Sequence, residues 1–260
     1  MKISFAATAM ALSIVVSGCA VTGQAPAPGL IVADDFESTA VGAIPSGFTR
    51  TGELGVEEGV AHSGKHALMI QPGVRGGRSI DLAPDKVAAL GGAHWGRLYY
   101  KIKLPAPLPT GRLIHATIVH GAAISPLAKD KIDIRLATLL YYPNGDFKYF
   151  YNVQPPRGRK EFGPQSASLQ KFDDKWNLLE WHVDAATQTY EFFVNGQEVT
   201  DISQHKGAGN YEGIEIPNAF QTLSIGFTNY QPATGDGFTV YIDDIALGKQ
   251  RLGPVRGAAK

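Results

Sequence analysis

Apolar and polar residues alternate with a period of two over long stretches of the chain, as half-buried strands require. Arg97 to Leu104 alternates until Pro105 stops it. In Leu179–Asp184, Leu179, Trp181 and Val183 fall on one face and Glu180, His182 and Asp184 on the other. Tyr190 to Val194 runs into Asn195-Gly196, and Ile132–Tyr142 and Phe147–Val153 flank Asn144-Gly145. Both dipeptides are hairpin signals, because each tolerates the positive φ of a tight turn. A last strand covers Phe238 to Leu247, and Asp85 to Leu90, entered through Pro84, is the one short helix. The pattern predicts an all-β fold, a jelly-roll sandwich of two antiparallel sheets, as a single domain over 31–254.

The second hairpin can be paired residue by residue. A two-residue turn at Asn144-Gly145 sets Pro143 opposite Asp146, Arg135 opposite Gln154, Ala137 opposite Asn152, Leu139 opposite Phe150 and Tyr141 opposite Lys148. One face then carries Leu136, Thr138, Leu140, Tyr142, Phe147, Tyr149, Tyr151 and Val153, and belongs on the core. The other carries Arg135, Tyr141, Lys148, Phe150, Asn152 and Gln154. Cations, amides and rings in that mixture suit a groove for an acidic sugar chain, with Tyr141, Lys148, Phe150 and Asn152 contacting it. A slip of one residue would exchange the two faces.

The ends speak to location. Lys2 precedes an apolar stretch from Ile3 to Val16, long enough for a signal peptide and too short to span a bilayer. Val16-Ser17-Gly18-Cys19 resembles the lipobox of bacterial lipoproteins, which implies a signal peptide over 1–18 and lipidation of Cys19. Ala20 in place of Asp favours the outer membrane by the same resemblance. Residues 19–30, with the Pro/Ala/Gly run Thr22 to Gly29, form a tether, and 255–260 a C-terminal tail. Cys19 is the one cysteine, so no disulfide framework exists. Acidic and basic residues number 24 each, which gives no electrostatic case for nucleic acid or an anionic membrane surface. The expected partners are a polysaccharide, acidic in character, and the membrane through the lipid anchor only. A monomer is expected.

Five segments together resemble one family: Asp34 to Ser38, Val60 to Gly64, Arg97 to Leu104, Leu179 to Gly196, and Ser224 to Pro254. In this order they are similar to the fungal cellulose-induced secreted protein and its bacterial relatives. That family is a β-jelly roll akin to glucuronan and alginate lyases. The resemblance is good at both ends of the domain and poor between about Gly121 and Lys175.

A structural calcium site follows from two directions. A jelly roll brings its first and last strands together, near Glu37 and Asp243-Asp244, and Ser63 lies in a Gly-containing turn. Calcium takes several oxygens from carboxylates, hydroxyls and carbonyls. The resemblance implies Glu37, Ser63, His66 through its backbone oxygen, and Asp243 as ligands, with Asp35 and Asp244 as register alternatives.

For catalysis the resemblance implies β-elimination on a uronate glycan. Such chemistry needs a cation or amide on the carboxylate, a base at the C5 proton and an acid at the leaving oxygen. The candidates are Arg135 with Gln154 or Asn152 for the carboxylate, His115 as base, and Tyr230 or Tyr141 as acid. Arg135 matches a family arginine, and Leu113 to Thr117 resembles the family's histidine-bearing strand. Two positions depart from it: Leu139 stands where the family has an amide, and Phe227-Thr228-Asn229 where relatives carry a Trp-Glu pair. The same groove without chemistry would be a carbohydrate-binding module, and the jelly roll alone an envelope scaffold. No Gly-x-Ser-x-Gly elbow, His-Glu-x-x-His helix or Glu-x-Asp-x-x-Glu strand is present.

Overall fold

The alternating segments become strands in the computed structural model, which describes residues 29–125, 127–155, 160–208 and 216–255. The signal segment, Cys19, tether positions 19–28 and the tail beyond 255 lie outside the described residues. In chain order the first elements are β1 (Leu30–Asp34), β2 (Phe48–Thr51), β3 (Leu54–Glu58), β4 (His66–Ile70), β5 (Gly76–Leu82), α1 (Pro84–Leu90), β6 (Ala93–Ile102) and β7 (Ile114–Ile124). They are followed by β8 (Lys131–Tyr141), β9 (Asp146–Gln154), β10 (Gln170–Lys171), β11 (Asn177–Asp184), β12 (Thr189–Val194), β13 (Gln197–Glu198), β14 (Thr222–Asn229) and β15 (Val240–Gly248).

The strands form two sheets with every pairing antiparallel, the jelly-roll sandwich expected from the alternation. An eight-stranded sheet runs β13-β12-β11-β6-β15-β4-β3, with β1 also on β15, and a seven-stranded sheet runs β10-β9-β8-β7-β14-β5-β2. Their facing sides bury Leu68, Ile70, Ile80, Trp181, Phe192, Phe227 and Phe238. Burial of that many large apolar side chains, each worth about 1.5–3 kcal/mol, is what holds the layers together. Tyrosine hydroxyls inside this layer need partners and find them across it. Tyr100 of β6 meets Tyr149 of β9 hydroxyl to hydroxyl at 2.9 Å, and Tyr190 of β12 donates to the Leu136 carbonyl of β8 at 2.6 Å.

Two departures from regular pairing position the sites described below. Along β15, Val240–Ile242 pairs with β4, and Ile245–Gly248 pairs with β1. Asp243 and Asp244 sit at the change of neighbour, where the ladder to β6 shifts and Asp244 takes φ 50°. The second departure is a line of register shifts across three adjacent strands, at Ile225/Thr228 in β14, Thr117/His120 in β7 and Arg135/Thr138 in β8. Each shift inserts an unpaired residue, bends its strand and swaps which alternate residues face out.

The β8–β9 hairpin corrects the sequence expectation by one residue next to the loop and by two beyond the shift at Arg135/Thr138. Arg135 pairs with Asn152, Thr138 with Phe150, Leu139 with Tyr149, Leu140 with Lys148 and Tyr141 with Phe147. The cause is the loop. Tyr142 N–H donates to Asp146 O at 2.8 Å and Gly145 N–H to Tyr142 O at 3.0 Å, so Pro143, Asn144 and Gly145 form a three-residue loop with Gly145 at φ 81°. Pro143 has no N–H to give to Asp146, and its fixed φ suits the first central position of a type I turn. Tyr141, expected on the sugar-facing side, is therefore on the core side against Phe172 and Phe238, and Thr138 and Leu140 face outward. At Asn195-Gly196 both residues have positive φ, 51° and 82°, and the two-residue turn forms as expected.

A strap after β15 crosses the outer face of the eight-stranded sheet. Arg251 forks onto the buried Glu180 carboxylate at 3.1 and 2.9 Å and lies 3.7 Å from the Phe193 ring centre. Gly253 N–H also donates to Glu180, Arg97 donates to Gly253 O, and Val255 N–H donates to the Tyr99 hydroxyl.

Candidate functional site

The line of shifts organises the outer face of the seven-stranded sheet. On one side of it, outward residues of β7, β8 and β9 are His115, Leu140 and Lys148 in one row and Thr117, Thr138 and Phe150 in the next. On the other side they are His120, Arg135 and Asn152, then Ala122, Asp133 and Gln154. The structure thus brings His115, Arg135, Gln154, Phe150 and Asn152 onto one face, with Lys148 at its margin.

Tyr230 joins them from the segment after β14. Its N–H donates to His115 O at 2.9 Å, while Gln231 Oε1 accepts His115 N–H at 2.6 Å. These two bonds anchor the chain at the end of β7 and set the Tyr230 ring over Arg135, whose Cζ lies 4.1 Å from the ring centre. The His115 ring lies 5.2 Å from that of Phe150.

Arg135 is buried and its guanidinium is held in place. Nε donates to Asp133 Oδ2 at 3.2 Å and Nη2 to Gln154 Oε1 at 2.8 Å. Asp133 also takes His120 Nε2 at 3.0 Å. Burial raises the Asp133 carboxyl, yet the hydrogen bonds and charges of His120 and Arg135 outweigh it and hold the group below its ordinary pKa. Asn152 donates to Glu161 and, at 3.1 Å, to the Phe162 carbonyl.

Protonation follows from the same packing. Burial lowers the His115 pKa, and the Arg135 charge lowers it further against an opposing pull from Glu161. The imidazole is therefore neutral near pH 7 and free to accept a proton. Burial raises the Tyr230 phenol, against hydrogen bonds from Thr117 and Arg135, so it keeps a proton to give. A neutral imidazole, a protonated phenol and a fixed guanidinium on one surface can, together, remove a proton, supply one and hold an anion.

Glu161 is the residue that sequence reasoning missed. It comes from a segment without strand periodicity that runs beside β9, joined through Val153–Phe162, Tyr151–Pro164 and Tyr149–Ser166 backbone bonds. A Cβ at Gly163 would stand 2.6 Å from the Phe150 ring, so only glycine lets this segment lie so close to the site.

The residues expected to hold calcium gather in the other sheet where β15 changes neighbour from β4 to β1. Asp243 accepts N–H groups from His62 at 2.7 Å, Ser63 at 3.2 Å and Asp244 at 2.7 Å. Glu37 Oε1 accepts those of Lys65 at 2.8 Å and His66 at 2.7 Å. The turn from His62 to His66 is thus gripped at one end by Asp243 and at the other by Glu37. Asp244 takes Ser63 Oγ at 2.9 Å and His62 Nδ1 at 2.6 Å. Asp35 caps the turn carrying Glu37. Burial, with the Asp244 charge beside it, pushes the Asp243 carboxyl up to about 7. Arg97 is the cation at this corner, its Nε donating to the Asp244 carbonyl at 3.4 Å, and the clustered carboxylate oxygens are a donor set that fits a hard cation.

No protein-family model matches the chain, and no curated protein does. Among solved structures, the cellulose-induced protein Cip1 is similar with a TM-score of 0.54 at 16% identity, over 86% of this chain and 100% of its own. The binding domain of Paraclostridial Mosquitocidal Protein 1 is similar with a TM-score of 0.50 at 10% identity, over 86% of this chain and 50% of that one. At such identities the likeness is one of fold.

Proposed function

We propose that the outer face of the seven-stranded sheet binds a uronate-bearing polysaccharide and cleaves it by β-elimination. The observation that carries this reading is the convergence of Arg135, Tyr230 and His115, with the guanidinium 4.1 Å from the phenol ring centre and Tyr230 N–H on the His115 carbonyl. In this reaction His115 takes the C5 proton of the uronate, and the electron pair of that bond forms the C4–C5 double bond. The C4–O bond breaks, and Tyr230 protonates the departing oxygen. Arg135 and Gln154 hold the uronate carboxylate, whose negative charge grows as the proton leaves. Phe150, Asn152 and Lys148 contact the flanking sugars.

The test is incubation with glucuronan, alginate, pectate and neutral glucans, read by the ultraviolet absorbance of an unsaturated uronide. Absorbance should rise on an acidic polymer with the wild type and vanish in His115→Ala. No rise on any acidic polymer sinks the lyase reading. A second reading, a carbohydrate-binding module without chemistry, is favoured by one feature: Arg135 is already paired with Asp133, and Asn152 with Glu161. It requires retention on an acidic polymer without absorbance.

Two further assignments belong to this reading. A structural calcium would be held by Glu37, Ser63, the His66 carbonyl and Asp243, away from the reacting groups; bound there, it would neutralise the Asp243–Asp244 corner. Acylation of Cys19 would anchor the domain at the cell envelope, at the outer membrane. Cys19→Ser should release the protein from membranes, and unchanged fractionation would dismiss the anchor.

A further inference from the structure

A second cluster of metal-ligating side chains lies on the other sheet, at its β13 end, and the proposed function does not use it. Glu191 projects outward from β12 and Glu198 from β13. His205 arrives on a segment fastened to β12 by two backbone bonds between Tyr190 and Gln204, at 2.7 and 2.6 Å, and by Thr189 Oγ1 on the His205 carbonyl at 3.1 Å. Three separately anchored pieces of backbone thus deliver three ligands to one place.

We propose that Glu191, Glu198 and His205 form a binding site for a divalent transition-metal ion of the zinc class. One ligand atom from each lies within 4.8 Å of the others. His205 Nδ1 is 3.4 Å from Glu191 Oε1, and His205 Nε2 is 3.2 Å from Glu198 Oε1. Ligands on a tetrahedral zinc, with arms of about 2.0–2.2 Å, stand roughly 3.3–3.5 Å from one another. The two close approaches are to opposite nitrogens of the ring, so one glutamate must swing toward the nitrogen that coordinates, closing a spacing of up to 4.8 Å, to enclose the ion.

Three observations favour a metal over a plain ion pair. Glu198 Oε1 is shielded from water, and the polar group it meets is His205 Nε2 itself, so its lone pairs are directed at the cluster. Arg251, the guanidinium whose charge reaches both glutamates, is already forked onto Glu180. The remaining oxygen of Glu191 is oriented from behind: His182 Nδ1 sits 2.8 Å from Oε2, and its ring stacks on Trp95 at 4.4 Å between centres. Such an outer contact fixes a ligating carboxylate in the way metal sites use it. A site with one imidazole and two carboxylates suits zinc, whereas calcium takes six to eight oxygens. His205 is 64% exposed, which leaves a fourth position to water.

The experiment is zinc titration by calorimetry of the tag-free, EDTA-treated full chain, in excess calcium so that any calcium site is filled. Wild type should bind one zinc that His205→Ala and Glu198→Gln each weaken at least about tenfold, since even loss of an outer contact costs 10–100-fold. Cobalt should give tetrahedral visible bands in the wild type and not in His205→Ala. Equal zinc affinity in all three proteins, or no zinc binding by the wild type, overturns the proposal; the latter would leave His205 as an ion-pairing residue only.

Discussion

The Arg135 guanidinium sits over the Tyr230 ring, Cζ to ring centre 4.1 Å, with the same guanidinium forked between Asp133 and Gln154. Lysine could keep the charge but neither the stack nor the fork. Arg135→Lys should weaken retention on an acidic polymer by about 1.5–3 kcal/mol, the worth of a hydrogen bond to a charged group. Retention on neutral glucans should not change. Tyr230→Phe keeps the ring over Arg135 and loses the hydroxyl with its hydrogen bonds to Thr117 and Arg135, so it should abolish elimination while leaving most of the retention. Affinity electrophoresis on both polymer types reads each case, and unaltered mobility in Arg135→Lys would remove Arg135 from the binding face.

His94 predicts a pH dependence. It is fully buried, Trp181 Nε1 donates to its Nε2 at 3.3 Å, and burial pushes its pKa down to about 3. Unfolded, it titrates near 6.5. Between those values the unfolded chain holds the extra proton, so stability falls as pH drops, by about 1.4 kcal/mol per pH unit from this group. Asp243, raised to about 7, acts with the opposite sign, losing stability as pH rises between its unfolded value and 7. Comparison with His94→Gln isolates the histidine. In urea titrations at pH 6.5 and pH 5, the variant should lose about 1.6 kcal/mol less than the wild type. Equal losses would show that His94 does not titrate in this window.

The strap should report on Glu180. That carboxylate is 1% exposed and depends on Arg251 and the Gly253 N–H. Removing one partner of a buried pair strands the other charge, at about 3–5 kcal/mol. Arg251 is partly in water, so Arg251→Ala should cost about 2–3 kcal/mol. Adding Glu180→Gln should recover part of it. A double variant less stable than the single one in chemical denaturation would refute this account.

Calcium should raise the melting temperature of the wild type relative to EDTA, because an ion that binds only the folded state stabilises by mass action. Glu37→Gln keeps an acceptor for the Lys65 and His66 N–H groups and loses the charge, so its melting temperature should respond less. Identical curves in calcium and EDTA for the wild type would dismiss the ion.

The sandwich was legible because segments such as Arg97–Leu104 and Leu179–Asp184 carry their own alternation, and the Asn195-Gly196 turn because both residues accept positive φ. The β8–β9 register was not, for two reasons that alternation alone does not display. Pro143 recruits a third residue into the loop, and the shift at Arg135/Thr138 breaks the period inside β8. Arg135 stood out on the polar face of the hairpin as well as by resemblance, whereas His115 and Tyr230 could be singled out only through resemblance, since one histidine or tyrosine looks like another in any β-rich chain. Glu161 gave no signal, because its position depends on a loop lying along an edge. The Glu191–Glu198–His205 cluster was equally hidden, since its members have no metal-motif spacing and meet only through strand pairing.

The extra residue in β8 makes the strand behave like two words written in different phase. Ile132, Ile134 and Leu136 face inward before it, and Leu139 and Tyr141 after it. Deleting Ala137 would restore a single phase, and half of the strand would have to turn its apolar residues to water or its Arg135-bearing half inward. Substitutions at the outward positions leave that phase untouched. The surface can therefore diversify by exchange of side chains while length changes within 135–138 are purged, so homologues should vary at Lys148 and Leu140 long before they gain or lose a residue there.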